Sequence, residues 1–150
     1  MKEQVYHLGV KALIQNASGD ILLLKGNSEA FTDAHWDIPG GRVLEGQTIE
    51  ETLLREVQEE TGLKNFLSLE HLDTLISNTT ISLSEDENVG LILTVYHCFL
   101  QEFPFITLSS EHSESAWVPP EKASALLLHK YPKSFIEKVK ELAPRYEKAG

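Results

Sequence analysis

The sequence has little cysteine and no long apolar run. Cys98 is the only cysteine among 150 residues, which excludes a fold held by intramolecular disulfides and predicts a reducing, cytoplasmic environment. The most apolar run, residues 90–100, would cover only about half of a bilayer and is interrupted by Thr94 and His97. The first ten residues, MKEQVYHLGV, lack the apolar stretch of a secretory signal. We therefore expect no membrane partner.

Basic residues are also scarce. There are 13 Lys and Arg against 23 Asp and Glu, so the formal net charge is −10 at pH 7. Residues 65–121 carry no Lys or Arg, whereas residues 122–150 are basic. Nucleic-acid polymers bind through Lys and Arg that displace counterions from phosphates, so the charge argues against such a partner. An RNA-decapping role would need a basic surface, which only the tail offers.

Length and patterning predict one globular domain over residues 1–150, with 41% hydrophobic content. Short β-branched and aromatic stretches predict strands at residues 5–14, 21–24, 66–83, 89–100 and 116–118. The first two of these strands are expected to form a hairpin. Residues 25–34, 84–88 and 103–113 read as loops or irregular chain. Helical periodicity predicts helices at residues 49–61, 121–128 and 131–150. This order predicts an α/β/α sandwich with a central mixed β-sheet.

The predicted helices carry readable end signals and apolar faces. Thr48 followed by Glu51 is a capping box, and Gly62 fits the left-handed residue that ends a helix. The apolar stripe of this central helix is expected to contain Ile49, Leu53, Leu54 and Val57. The inner face of the last helix should contain Phe135, Val139, Leu142 and Tyr146, with Pro144 kinking or fraying it.

The central helix also carries three carboxylates, Glu56, Glu59 and Glu60. Their i, i+3 and i+4 spacing places them on one face, where like charges oppose helix formation. Arg55 can offset this repulsion by hydrogen-bonding a carboxylate. A hard divalent cation can also offset it, because Mg²⁺ prefers oxygen ligands and commonly binds carboxylates together with substrate phosphates. A solvated acidic helix face is the alternative interpretation.

The segment around these carboxylates resembles a known signature. Residues 41–63 read GRVLEGQTIEETLLREVQEETGL and follow the strand and turn WDIPGG of residues 36–41. Both are similar to the Nudix box and its lead-in, found in hydrolases that cleave nucleoside diphosphates linked to another group. The resemblance covers the fold order of residues 5–128 and leaves the C-terminal helix, residues 131–150, outside any motif. One position departs from the pattern, which has Glu where this chain has Gln47.

The resemblance implies a role for each matching residue. Glu56 and Glu60 would be the principal ligands of Mg²⁺, with Mn²⁺ as a possible substitute. Glu59 would be a further ligand or the base, and Arg55 would orient the cluster. The backbone carbonyl of Gly40 would complete the coordination. Gln47 lacks the expected charge, which leaves open slower catalysis, a changed metal number or no effect.

A second short pattern lies just before a tryptophan-containing strand. In several Nudix subgroups a glutamate at this place supplies an extra ligand or the general base. Glu111 matches this place best, and Glu114 is the alternative. Both could also be loop surface residues without a role.

Substrate contacts are less readable. Lys25 and Arg42 are candidates for phosphate binding. Trp36, and after it Phe31 and Tyr96, are candidates for stacking on a base, although aromatic residues near strands more often belong to the core. The six histidines show no paired spacing of the kind that binds zinc. The loops at residues 25–34 and 78–88 contain no sequence pattern that identifies the base, the sugar or the leaving group of the substrate.

The leading hypothesis is therefore an Mg²⁺-dependent Nudix pyrophosphohydrolase that cleaves a nucleoside triphosphate or a dinucleoside polyphosphate. ADP-ribose or a nucleotide sugar is an alternative substrate. A non-catalytic nucleotide-binding domain is a second alternative, favoured only by Gln47. A diphosphate isomerase is a third, but it would use a catalytic cysteine, and Cys98 lies in a predicted buried strand. Either a monomer or a homodimer fits the sequence.

Overall fold

The computed structural model describes residues 1–26, 35–101 and 105–142, which form eight strands and three helices. The strands are β1 (Tyr6–Gln15), β2 (Ile21–Gly26), β3 (Trp36–Asp37), β4 (Gly40–Arg42), β5 (Ser68–Ile76), β6 (Ile81–Ser84), β7 (Glu87–Phe99) and β8 (His112–Val118). The helices are α1 (Ile49–Thr61), α2 (Pro120–Leu127) and α3 (Lys133–Lys140). No helix in these described ranges is long and apolar enough to cross a membrane. The cytoplasmic location and the single-domain organisation stay predictions.

The strands form an open mixed sheet. Its main order is β3-β2-β1-β7-β5, with β4 beside β1, β6 beside β7 and β8 beside β2. The pairing of β1 with β7 is parallel over ten residue pairs, and the other pairings are antiparallel. The near-continuous apolar content of β7 agrees with this central place, because a strand covered on both sides has no solvent face.

The predicted hairpin of the first two strands is wrong except at its turn. β1 and β2 pair only at Gln15 and Ile21. Beyond the turn β2 pairs with β8, and β4 takes the place beside β1, where Val10 faces Gly41 and Lys11 faces Gly40. The two strands therefore diverge, and the segment that precedes α1 lies against β1.

Helices cover both faces of the sheet, as the sequence predicts for an α/β/α sandwich. Leu53 and Val57 of α1 pack on a buried cluster that includes Val10, Ile14 and Leu22. Alternate residues of the same strands face the other side, where they meet α2 and α3 in a cluster that includes Leu13, Leu23, Leu93, Leu127, Phe135 and Val139. The period of two along each strand separates these two cores.

The ends of α1 are those predicted. Thr48 Oγ1 accepts the backbone N–H of Glu51 at 3.1 Å. Gly62 has φ 80°, and its N–H donates to the carbonyl of Gln58 at 2.8 Å. Leu54 does not belong to the buried stripe: it is 37% exposed, whereas Leu53 is 1% exposed. A rotation of about 100° per residue turns Leu54 away from the sheet.

Several loop predictions need correction because the strands are longer than their apolar cores. β7 begins at Glu87, so the predicted acidic loop shrinks to a turn at Glu85 and Asp86. β8 begins at His112 rather than Ala116, because its polar first half pairs with β2. Lys25 lies in β2 and not in a loop. Residues 27–34 of that loop, including Phe31, lie outside the described residues, as do Phe103, Pro144 and Tyr146.

Candidate functional site

The C-terminal end of α1 brings its carboxylates against the turn at Pro39 and Gly40, where β4 begins. Glu60 is 6% exposed, and its Oε2 accepts the backbone N–H of Gly40 at 2.8 Å. Gly40 must be glycine, since a Cβ at this position would clash with the carbonyl oxygen of Val10. Pro39 also ties this turn to β1, because its carbonyl accepts the N–H of Ala12 at 2.8 Å. The turn and Glu60 therefore hold each other in place.

Glu56 lies one helical turn earlier, against Gly41. A Cβ on Gly41 would lie 2.5 Å from the carboxyl carbon of Glu56, so the glycine allows the carboxylate to approach the backbone. Arg55 Nη2 donates to Glu56 Oε1 at 3.1 Å, as expected for a residue that orients the cluster. Arg55 Nε is buried and has no hydrogen-bond partner among residues 1–26, 35–101 and 105–142.

The carboxylates oppose one another's ionisation. Burial raises the pKa of Glu60 to about 7, although the Gly40 N–H and the Lys11 ammonium favour its charged form. Burial also raises the pKa of Glu56, with Arg55 acting in the opposite direction. The charges of Glu56 and Glu111 add to the rise at Glu60, and those of Glu59 and Glu111 add to the rise at Glu56. This end of α1 thus carries more negative charge than its neighbours neutralise.

Glu111 and Glu114 occupy different surroundings. Glu111 directly precedes β8 and is near enough to Glu56 and Glu60 to raise the pKa of both. Glu114 is exposed within β8 and lies opposite Lys25 of β2. The electrostatic effect on Glu56 and Glu60 therefore favours Glu111 over Glu114 as the additional acidic residue. Glu59 is exposed beside the other carboxylates.

The donor chemistry of this cluster fits a hard divalent cation. Glu56, Glu60 and Glu111 offer carboxylate oxygens, and a cation would relieve their mutual repulsion. In the described part of the chain, no three His, Cys, Asp or Glu side chains stand as a ready-made metal cage. Backbone carbonyls and substrate oxygens can complete the coordination of a hard cation that one or two carboxylates hold.

Gln47 has a local role in the loop before α1. Its Oε1 accepts the backbone N–H of Leu44 at 3.2 Å and lies 3.3 Å from the hydroxyl of Thr52, whose single hydrogen is also directed at the Thr48 carbonyl at 2.8 Å. Gln47 N–H donates to the carbonyl of Leu44 at 3.1 Å. The bond from the Leu44 N–H uses the side-chain oxygen as acceptor, a role that a carboxylate fulfils equally well.

We expect Gln47→Glu to leave activity nearly unchanged. The new carboxylate would keep the hydrogen bond from the Leu44 N–H and would lie just before the N-cap of α1, whereas Glu56 and Glu60 lie in its later turns. The value of kcat/KM should stay within about threefold of wild type, or about 0.7 kcal/mol. Steady-state kinetics on any cleaved nucleotide measures this. A tenfold gain would show that the missing charge limits the site.

A partly buried ion network lies beside the turn at Gly40 and was missed by sequence reasoning. Asp37 Oδ2 accepts from Lys11 Nζ at 3.1 Å and from Lys130 Nζ at 2.7 Å. Asp37 Oδ1 accepts from the Tyr131 hydroxyl at 2.6 Å and the Ile38 N–H at 2.7 Å. Despite burial, the two ammonium groups hold the pKa of Asp37 far below its usual range. Asp37 was visible only as part of the WDIPGG lead-in, and no signal pointed to Lys130.

A cavity of about 310 Å³ opens on the side of the sheet that carries α2 and α3, and it shares Gly41 with the carboxylate cluster. Its walls are formed by Gly9, Lys11, Gly41, Arg42, Ile81, Leu91, Leu93 and Lys130. Arg42, one of the expected phosphate contacts, is therefore on its wall, and its Nη1 lies 3.2 Å from His7 Nδ1. Gly41 links the cavity to the site, because Glu56 packs against the same residue.

The other expected substrate contacts lie elsewhere. Lys25 and Trp36 face each other in the pairing of β2 with β3, and neither lines this cavity. Trp36 packs against the core beneath α2 and α3, and Tyr96 packs against the core beneath α1. The structure thus favours core roles for both aromatic residues. Cys98 is fully buried, and burial raises the pKa of its thiol to about 12.

Comparisons with known proteins agree with this geometry. A NUDIX domain model matches residues 5–139. Nucleoside triphosphatase NudI of Escherichia coli (strain K12 / DH10B) is 30% identical over 112 residues, which are 73% of this chain and 79% of that protein. The crystal structure of the MutT protein from Methanosarcina mazei Go1 has a TM-score of 0.66 and 29% identity, covering 99% of this chain and 100% of that chain.

A third relative matches over a shorter region. A Bacillus subtilis (strain 168) protein, provisionally named 8-oxo-dGTP diphosphatase, is 41% identical over 64 residues, which are 43% of this chain. The match spans 40% of that relative's length. The family model nevertheless extends over most of the chain, including the sheet, α1 and the turn at Gly40. The chain therefore belongs to the Nudix family.

Proposed function

We propose that this protein is a divalent-metal-dependent nucleotide pyrophosphohydrolase. The observation that carries the proposal is the pairing of Glu60 with the Gly40 N–H, which holds a buried carboxylate beside Glu56 and Glu111. Placing negative charges together in a partly buried site is costly unless a cation or proton compensates them. A cavity that shares Gly41 with this cluster provides room for part of a nucleotide.

Each residue has a distinct role in this proposal. Glu56, Glu60 and Glu111, with the Gly40 carbonyl, would hold Mg²⁺ or Mn²⁺. When bound, the metal would neutralise phosphate oxygens and lower the pKa of a bound water. Arg55 orients Glu56 through its guanidinium. Glu59, exposed to solvent next to Glu56, is available to remove a proton from the attacking water or to act as a further ligand.

A nucleoside triphosphate is the substrate class that the observations favour. The name of the E. coli relative describes a nucleoside triphosphatase, and the provisional name of the B. subtilis relative describes a diphosphatase acting on a modified deoxynucleoside triphosphate. The cavity volume lies at the lower end of the range of small-molecule sites, roughly 300–1,000 Å³. Lys11, Arg42 and Lys130 bring positive charge to its walls.

The alternatives have less support. A non-catalytic domain was suggested by Gln47 alone, and that side chain has a local hydrogen-bonding role. A cysteine-dependent isomerase would need a reactive thiolate, whereas Cys98 is buried and its pKa is raised to about 12. A dinucleoside polyphosphate, ADP-ribose or a nucleotide sugar remains a competing substrate within the same reaction type.

A substrate panel tests the proposal. Phosphate and pyrophosphate release would be measured from nucleoside triphosphates, dinucleoside polyphosphates, ADP-ribose and nucleotide sugars, with Mg²⁺, with Mn²⁺ and with EDTA. We expect turnover of triphosphates that EDTA abolishes. Mg²⁺ at a hundredfold excess over Kd should also stabilise the fold by about 2.7 kcal/mol. Nucleotide binding without turnover in either metal would contradict the proposal.

A further inference from the structure

Lys130 enters the cavity from the connection between α2 and α3, outside the family signature. Its backbone is held firmly: its N–H donates to Leu127 O at 3.1 Å. Its carbonyl accepts the Asn78 N–H at 2.8 Å and the Ser77 hydroxyl at 2.9 Å. The base of this side chain is therefore fixed relative to the sheet, as a recognition residue requires.

The ammonium group of Lys130 has unused hydrogen-bonding capacity. It carries three N–H donors and no acceptor. In the ranges that the structure describes, the acceptor it reaches is Asp37 Oδ2 at 2.7 Å. Lys11 differs, because its ammonium donates both to Asp37 Oδ2 and to the carbonyl of Ile38. Asp37 thus anchors Lys130 while leaving donors available to a ligand.

The cavity walls define what such a ligand must look like. Gly9, Ile81, Leu91 and Leu93 give the cavity an apolar wall that can contact a ring. Gly41 is common to this cavity and to the carboxylate cluster, because Glu56 packs against it from the α1 side. A ring lodged there can therefore be joined to a phosphate chain that reaches the cluster.

From this arrangement we propose that Lys130 is a specificity-determining residue that donates a hydrogen bond to a carbonyl oxygen on the substrate's base. A lysine ammonium can only donate, so it favours a ring carbonyl and disfavours an amino group at the same position. A site built to donate a hydrogen bond rejects the analogue that lacks the acceptor, because a buried donor is then left unpaired. The inference rests on the proposed function and specifies its substrate class as keto-bearing nucleotides.

Two nucleotide pairs test this inference. Inosine and adenosine triphosphate differ at C6, and uridine and cytidine triphosphate differ at C4, by a ring carbonyl in place of an amino group, and in each pair the neighbouring ring nitrogen changes from an N–H donor to an acceptor. We expect wild type to favour the keto member of at least one pair by about tenfold or more in kcat/KM. Lys130→Met should lower kcat/KM for that member by about ten- to a hundredfold and reduce the preference towards unity.

Lys130→Gln is the second variant, in case the methionine variant fails to fold. Its amide can still donate to Asp37, but it can also accept, so it should tolerate both members of a pair and lose the preference. Lys122→Met is the matched control, since Lys122 is an exposed lysine of α2 that does not line the cavity. It should keep the wild-type preference.

Mn²⁺ binding, followed by electron paramagnetic resonance without nucleotide, provides a readout independent of turnover. Removing a positive charge near the carboxylates should leave the Mn²⁺ Kd unchanged or lower it. Weaker Mn²⁺ binding by Lys130→Met, in proportion to its loss of activity, would overturn the inference, because Lys130 would then act by maintaining the structure of the metal site. Wild-type turnover without keto preference would overturn it and leave the proposed function intact, whereas absence of both Mn²⁺ binding and turnover would overturn the proposed function itself.

Discussion

Glu60→Gln is expected to lower kcat by about 10²- to 10³-fold, because it removes a charge that would hold the cation polarising the phosphate. The amide oxygen can still accept the Gly40 N–H, so the turn should keep its position. The loss should therefore appear in kcat measured with saturating Mg²⁺ and nucleotide, without loss of the folded state.

The same variant should affect the stability of the metal-free protein in the direction opposite to its effect on kcat. Burial and the charges of Glu56 and Glu111 raise the pKa of Glu60 from 4.5 to about 7, so the metal-free fold loses stability as pH rises between these values, and the loss is complete above about pH 7. A neutral amide removes this penalty. The melting temperature of Glu60→Gln at pH 8 in EDTA should equal or exceed that of wild type, while its stabilisation by Mg²⁺ should be smaller.

The exposed Glu50, in the first turn of α1, supplies the matched control. Glu50→Gln removes the same charge from the same helix at a distance from the Gly40 turn, and it should leave kcat within about threefold of wild type. Retention of wild-type kcat by Glu60→Gln would remove Glu60 from the metal site and undermine the proposed function.

Asp37→Ala is expected to have the largest effect on stability, about 3–5 kcal/mol in the free energy of unfolding. The substitution leaves the ammonium groups of Lys11 and Lys130 close together without their shared carboxylate. It also leaves the buried Tyr131 hydroxyl without its acceptor. Urea unfolding at neutral pH measures the loss.

Two controls separate the network from simple loss of a side chain. Tyr131→Phe removes one hydrogen bond while retaining the ion pairs, and should cost only about 1–2 kcal/mol. Asp86→Ala removes an aspartate from the exposed turn between β6 and β7, and should change stability by less than about 0.5 kcal/mol. Equal effects of Asp37→Ala and Asp86→Ala would show that the network contributes nothing to stability.

The depressed pKa of Asp37 also predicts the sign of a pH effect. A carboxyl whose pKa is lower in the folded state contributes stability above its unfolded pKa of about 3.9, and this stability is lost as pH falls towards the folded pKa. The stability difference between wild type and Asp37→Asn should therefore be constant from roughly pH 5 to 8 and shrink below about pH 4. Urea titrations across this range would show the change.

Sequence patterning was most successful for α1 and its carboxylates. The helix bounds, the Thr48 cap and the Gly62 end follow from interactions within four residues along the chain. The same short-range geometry places Glu56, Glu59 and Glu60 near one another. Patterning failed for the partner of β1, because the hairpin was predicted from proximity in sequence, whereas β1 pairs in parallel with β7, more than eighty residues away along the chain.

The sequence by itself therefore determined the acidic helix, the flexible turn before it and the family, because all three depend on neighbouring residues. Only the tertiary structure decided that Lys130, 93 residues from Asp37 along the chain, shares its carboxylate with Lys11. It also decided that Leu54 faces solvent and that Gly41 joins a cavity to the carboxylates. Such contacts depend on how strands and helices pack across the sheet, and a linear pattern contains no measure of that packing.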